Sequence, residues 1–173
     1  MLNSARIMRF RSALPAAGAL LALVVASASA QPVRLESLAH FPRTTLTIDA
    51  GGHVCRFRVW IADTPDRQAQ GLMFVRDLPP TEGMLFPMHP PQVAKFWMEN
   101  TYIPLDMLFV APDGRIEKIA AEAKPFSLQT ISSGAPVKAV IEIKGGEAQK
   151  LGITVGARVS WVASPADASS RAH

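Results

Sequence analysis

Along the middle of the chain, apolar and polar residues alternate in short runs punctuated by glycine, proline and aspartate. Thr44 to Asp49 sets Leu46 and Ile48 on one side. Ala50-Gly51-Gly52 is a turn signal, and His53 to Ile61 resumes the alternation, so the pair predicts a β-hairpin. Asp63 or Thr64 then caps a short helix. Pro65 stands in the first turn, where its missing N–H is not needed, Asp66 lies at the positive end of the helix dipole, and Gly71 is the stop. Gly83-Met84-Leu85-Phe86 reads as a buried strand start, and the prolines of Pro87–Pro91 predict an irregular stretch. Lys95 to Glu99 and Leu105 to Val110 read as apolar strands joined through Asn100-Thr101-Tyr102-Ile103-Pro104. Pro112-Asp113-Gly114 is a tight turn that suits a hairpin, with Arg115 to Ala120 returning. Val137, Ala139, Ile141 and Ile143 alternate with Lys138, Val140, Glu142 and Lys144, which predicts a strand with Glu142 on its exposed face. Gly145-Gly146 opens a helix over Glu147–Leu151 that Gly152 ends, and Arg158 to Ala163 is the last strand.

These elements predict a mainly β chain at the border of α+β. It is a single compact barrel-like or strongly curved antiparallel sheet of about eight strands with two short helices. The β-rich domain runs from 44 to 163, between a loose arm at 31–43 and a flexible tail at 164–173.

The first 30 residues change the picture of compartment and charge. Arg6, Arg9 and Arg11 form a basic front, Ala13 to Ala28 is almost wholly apolar, and Ala28-Ser29-Ala30 offers small residues for cleavage. This is the three-part pattern of a cleavable secretory signal at 1–30. The apolar run, about 16 residues, is shorter than the roughly 20 that span a bilayer, so no stable membrane insertion is expected after cleavage. The expected location is periplasmic or secreted. Three arginines and no acid leave with the segment, so a net charge of +4 falls to +1. Nucleic-acid binding needs a basic stripe, and the one close pair, Arg56 and Arg58, is too little; no nucleic-acid partner is expected. Cys55 is the single cysteine, cannot form an internal bridge, and shares the parity of Phe57, Val59 and Ile61, which predicts a buried, inert thiol.

Five motifs then fall in order: Gly71-Leu72-Met73, Gly83-Met84-Leu85-Phe86, Phe96-Trp97-Met98-Glu99-Asn100-Thr101, Pro104-Leu105-Asp106-Met107-Leu108-Phe109, and Ile141-Glu142-Ile143 before Gly145-Gly146. In this order the chain closely resembles the bacterial and archaeal family called domain of unknown function 192, from about residue 44 to residue 162. The resemblance implies a compact, mostly β fold and no settled activity.

Chemistry-bearing residues cluster around the Pro104 connection. Asp106, flanked by Leu105 and Met107, is expected to be at least half buried and so must be paired or hydrogen-bonded. It would cap turn amides or pair with Arg76 or Lys95. In the functional reading, Arg76, Asn100, Thr101 and Asp106 converge beside Trp97 in a pocket for a small molecule or protein partner. An alternative is a hydrolase-type enzyme using Asp106 with Glu142 as an acid–base pair. A second alternative is a copper(I) site, since Met73, Met84, Met88, Met98 and Met107 lie close together in sequence with His89 beside Met88. Core filling by flexible thioethers is the competing reading. His40, His53, His89 and His173 show no metal-ligand spacing, and no cofactor is implied.

Overall fold

The computed structural model describes residues 35–162. The expected signal segment, residues 31–34 of the expected arm and the whole of the expected tail lie outside them. Strands β1 (Arg43–Asp49) and β2 (Val54–Ile61) form the expected hairpin, and helix α1 (Pro65–Gln70) leads to β3 (Glu82–Phe96). Then come β4 (Leu105–Val110), β5 (Ile116–Ala123), β6 (Ile131–Lys144), helix α2 (Glu147–Lys150) and β7 (Arg158–Trp161). One sheet carries all seven strands in the order β5-β4-β6-β3-β2-β1-β7. Every pairing is antiparallel except β2 with β3, whose connection runs through α1. The strand number falls to seven because the segments at Gly83–Phe86 and Lys95–Phe96 belong to one long strand. Its prolines sit where the β3–β6 register shifts, between Pro87 and Gln92. Proline cannot donate to a ladder, and a bulge is where that is tolerated.

The sheet curls until its two edges touch. An isolated bridge pairs Arg115, just before β5, with Arg158 on β7. Val159 N–H donates to the Gly114 carbonyl at 2.8 Å, and Ile116 N–H to the Ala157 carbonyl at 2.9 Å. Leu46, Phe57, Leu85, Leu108, Ile116, Ile141 and Val159, one from each strand, meet in the enclosed core.

Alternation on the central strands fills a second core on the opposite face. Met84 and Phe86 of β3, Met107 and Phe109 of β4 and Val140 of β6 are buried there beneath Phe41, Leu72, Leu78 and Met98. Central strands are therefore apolar on both faces, while β2 exposes Arg56 and Arg58. The arm is held from residue 35 onward: Phe41 is buried and Glu36 forms an ion pair with Arg67 of α1 at 2.9 Å. Among the described residues, no helix is long and apolar enough to cross a membrane.

Candidate functional site

A cleft of about 350 Å³ opens over the second core, within the range of small-ligand sites. Its walls are the end of α1 and the turn after it, the far half of β3, and the loop from Trp97 to Thr101. Thr64 starts α1 by accepting the Arg67 N–H on its side-chain oxygen at 3.3 Å. Gly71 ends the helix at φ 50°, ψ −135°, a conformation that side chains disfavour. Its missing side chain also leaves the cleft open. A Cβ there would stand 3.4 Å from Phe86 Cζ and 4.0 Å from Glu142 Oε2.

The floor of the cleft holds Glu142, which is only 4% exposed. Its cross-strand neighbours are Met84 on β3 and Met107 on β4, both fully buried. Same-face neighbours in a ladder stand about 5 Å apart, so the carboxyl rises between two thioethers. Gly83 makes this close approach possible, since a Cβ there would lie 2.3 Å from the Glu142 carbonyl oxygen. Among the described residues, no side chain or amide hydrogen-bonds the Glu142 carboxyl. Burial alone pushes its pKa up to about 8. The expectation of an exposed Glu142 is thus corrected: a strand covered on both faces has no exposed side, and alternation on one strand cannot reveal the second cover.

The other polar groups of the walls are mostly engaged. The Gln70 amide donates to the Glu36 carbonyl at 2.8 Å and accepts the Glu36 N–H at 2.6 Å. Gln68 donates to the Pro87 carbonyl at 3.0 Å, and the Thr101 hydroxyl to the Glu99 carbonyl at 3.2 Å. Phe86, Met88 and Phe96 supply apolar surface, with Trp97 half exposed at the mouth. Lys95 and Glu99 stand exposed at the rim.

Of the five residues expected to converge, Trp97 and Thr101 reach the cleft. Asn100 lies on the same loop in the left-handed region, at φ 52°, and its carbonyl accepts the Phe74 N–H at 2.8 Å. Arg76 lies elsewhere, its guanidinium 4.4 Å above the Tyr102 ring.

Asp106 faces the other way, into the side of the sheet that carries Leu108 and Val110. It is fully buried and accepts the Glu122 N–H at 2.7 Å and the Ala148 N–H at 2.9 Å. The second bond caps α2 from a neighbouring strand, because Gly146 at the N-cap has no side chain to do so. The anticipated pairing with Arg76 or Lys95 gives way to the turn-amide alternative. Asp106 pairs in register with Ile143, and Met107 with Glu142, so the two carboxyl groups project from opposite faces and share no cleft. The methionines lie on one side of the sheet: Met84, Met88, Met98 and Met107 are buried in the second core, and Met73 and Met88 line the cleft over it. Burial raises the Cys55 pKa, in keeping with its place in the enclosed core.

Sequence reasoning missed Glu142 as the centre of the site. The signal that marks it is its position in the Ile141-Glu142-Ile143 motif, an acid held between two large apolar residues.

Comparison with known proteins agrees with this architecture. A crystal structure of a protein of unknown function from Novosphingobium aromaticivorans DSM 12444 is 40% identical, with a TM-score of 0.70, covering 77% of this chain and 94% of that one. A second, from Sinorhizobium meliloti 1021 and described as a candidate transcription regulator, is 37% identical with a TM-score of 0.68. It covers 70% of this chain and 95% of the other. No curated protein matches. The sequence pattern of DUF192, described as "Uncharacterized ACR", matches residues 46–161, and the chain belongs to that family.

Proposed function

We propose that this protein is an extracytoplasmic ligand-binding module whose site is the cleft over the second core, with Glu142 as its anchor. One observation carries the reading: a carboxyl 4% exposed, at the floor of a cleft, with no hydrogen-bond partner among the described residues. Nearly all of the residue is covered, yet its unpartnered carboxyl opens into a concave, aromatic-walled cleft, and that is how an anchor is presented to a ligand. The leftover cost of burying it is recovered when a ligand supplies the missing partner. Trp97 and Thr101 belong to this site; Arg76, Asn100 and Asp106 act as supports of the surrounding loops. The compartment rests on the basic front, apolar run and Ala28-Ser29-Ala30 of the first 30 residues.

A thermal-shift screen of the protein against small metabolites tests the function, since a ligand specific to the folded state raises its melting temperature. Hits are expected to vanish in Glu142→Gln and to weaken in Trp97→Ala. Hits that survive Glu142→Gln unchanged would remove the anchor. N-terminal sequencing of the protein recovered from its host tests the compartment, with a new terminus at Gln31 expected.

A further inference from the structure

We infer that the cleft takes an organic ammonium ion: a ligand with an apolar body and a cationic N–H donor group that docks on the carboxyl of Glu142. This rests on the cleft being a binding site, and adds the class of ligand. Once ionised, a carboxylate has only acceptors, so a partner that binds that form must donate. A cation is the donor that best offsets the desolvation of a buried carboxylate. The remaining surface suits the rest of such a ligand. Phe86, Met88, Phe96 and Trp97 present apolar and aromatic faces, and aromatic faces attract cations. An anion is disfavoured at the floor: among the described residues that line the cleft the only cation is Lys95, exposed at the rim. A neutral ligand can hydrogen-bond the protonated carboxyl but gives no charge partner to the ionised one.

The proton balance follows. The free carboxyl holds its proton up to about pH 8. Docking of an ammonium ion displaces that proton to solvent, so one proton is released per ligand bound at pH 6, and none at pH 9. The other titratable groups of the cleft are Lys95 on β3 and Glu99 on the loop, both exposed. The α1 residues facing it, from Gln68 to Gly71, carry no charge, and neither do Met84 and Met107 on either side.

Isothermal titration and Trp fluorescence of the full chain test the inference. The probes are n-hexylammonium and phenylethylammonium, with hexanol and hexanoate as shape-matched controls. The ammonium ions are expected to bind, tightening about tenfold per pH unit up to about pH 8 and levelling above it. Glu142→Gln should weaken them by about ten- to a hundredfold, and Trp97→Ala by about two- to fivefold. Titration at pH 6 in two buffers of different ionisation enthalpy should report the released proton. If hexanol or hexanoate binds as tightly as the ammonium ions, and loses affinity in Trp97→Ala, the ligand class is wrong while the cleft remains a binding site. If neither ammonium ions nor controls bind, and the broad thermal screen is also silent, both readings fall.

Discussion

Two buried carboxyl groups sit on adjacent strands and behave oppositely. Asp106 is fully buried and satisfied by two amides, so its role is to hold the β5 end and the start of α2. Asp106→Asn replaces one acceptor with a donor facing an N–H, and should cost about 2–3 kcal/mol in urea unfolding while leaving ligand affinity unchanged. Glu142 is 4% exposed and has no hydrogen-bond partner among the described residues, and its folded pKa lies above the ordinary carboxylate range, at about 8. Below about pH 4.5 both folded and unfolded states hold the proton. Between there and about pH 8 only the folded state does, so stability falls as pH rises and the loss is complete above pH 8. Glu142→Gln removes this slope. The variant should match the wild type near pH 4 and exceed it at pH 9 by about 5 kcal/mol in denaturant unfolding. A difference independent of pH would mean that the carboxyl reaches solvent.

At the scale of elements, α1 and β3 build the cleft, and two glycines set their limits. Gly71→Ala forces a side chain into a backbone conformation that only glycine adopts easily, and should cost about 1–3 kcal/mol. It also narrows the space above Glu142, so affinity should fall together with stability. Gly83→Ala is more severe, because a Cβ would lie 2.3 Å from a backbone oxygen of β6 and the two central strands would have to part. About 3 kcal/mol or more is expected, read as a lower urea midpoint. The ion pair of Arg67 with Glu36 ties the arm to α1, and its pair with Asp63 braces the start of the helix. In Glu36→Ala, faster amide hydrogen exchange is expected over residues 36–41 with little change in the strands.

On the scale of the whole molecule, the two cores share β3, β4 and β6, since each of these strands contributes side chains to both faces. Neither core can be lost without the strands that build the other, so unfolding should be a single cooperative transition. Trp161 packs against the enclosed core and Trp60 against the second, which makes the test direct. Variants that keep Trp60 or Trp161 as the sole tryptophan, with Trp97 also replaced, should unfold at the same urea concentration as the circular-dichroism signal. Two separated midpoints would show that the cores fold independently.

Most of the strands, the hairpins, the Thr64-Pro65 helix start and the Gly71 stop were legible in the sequence, because each depends on local chemistry: side-chain alternation, capping and turn conformations; the continuity of β3 through its prolines was not. The five ordered motifs also identified the family. Which face of β6 is covered was not legible. Glu142 reads as exposed on its own strand, and only the packing of β3, β4 and the α1 connection buries it. Asp106 could be recognised as a carboxyl in need of partners, but its actual partners lie 16 and 42 residues away. Alternation is a property of one strand, whereas burial and hydrogen-bond partnership are properties of neighbours brought together by the chain's long-range topology. That is why the sequence by itself determined the elements and the fold class, and the tertiary structure alone decided which acid holds the fold together and which one is left open in the cleft.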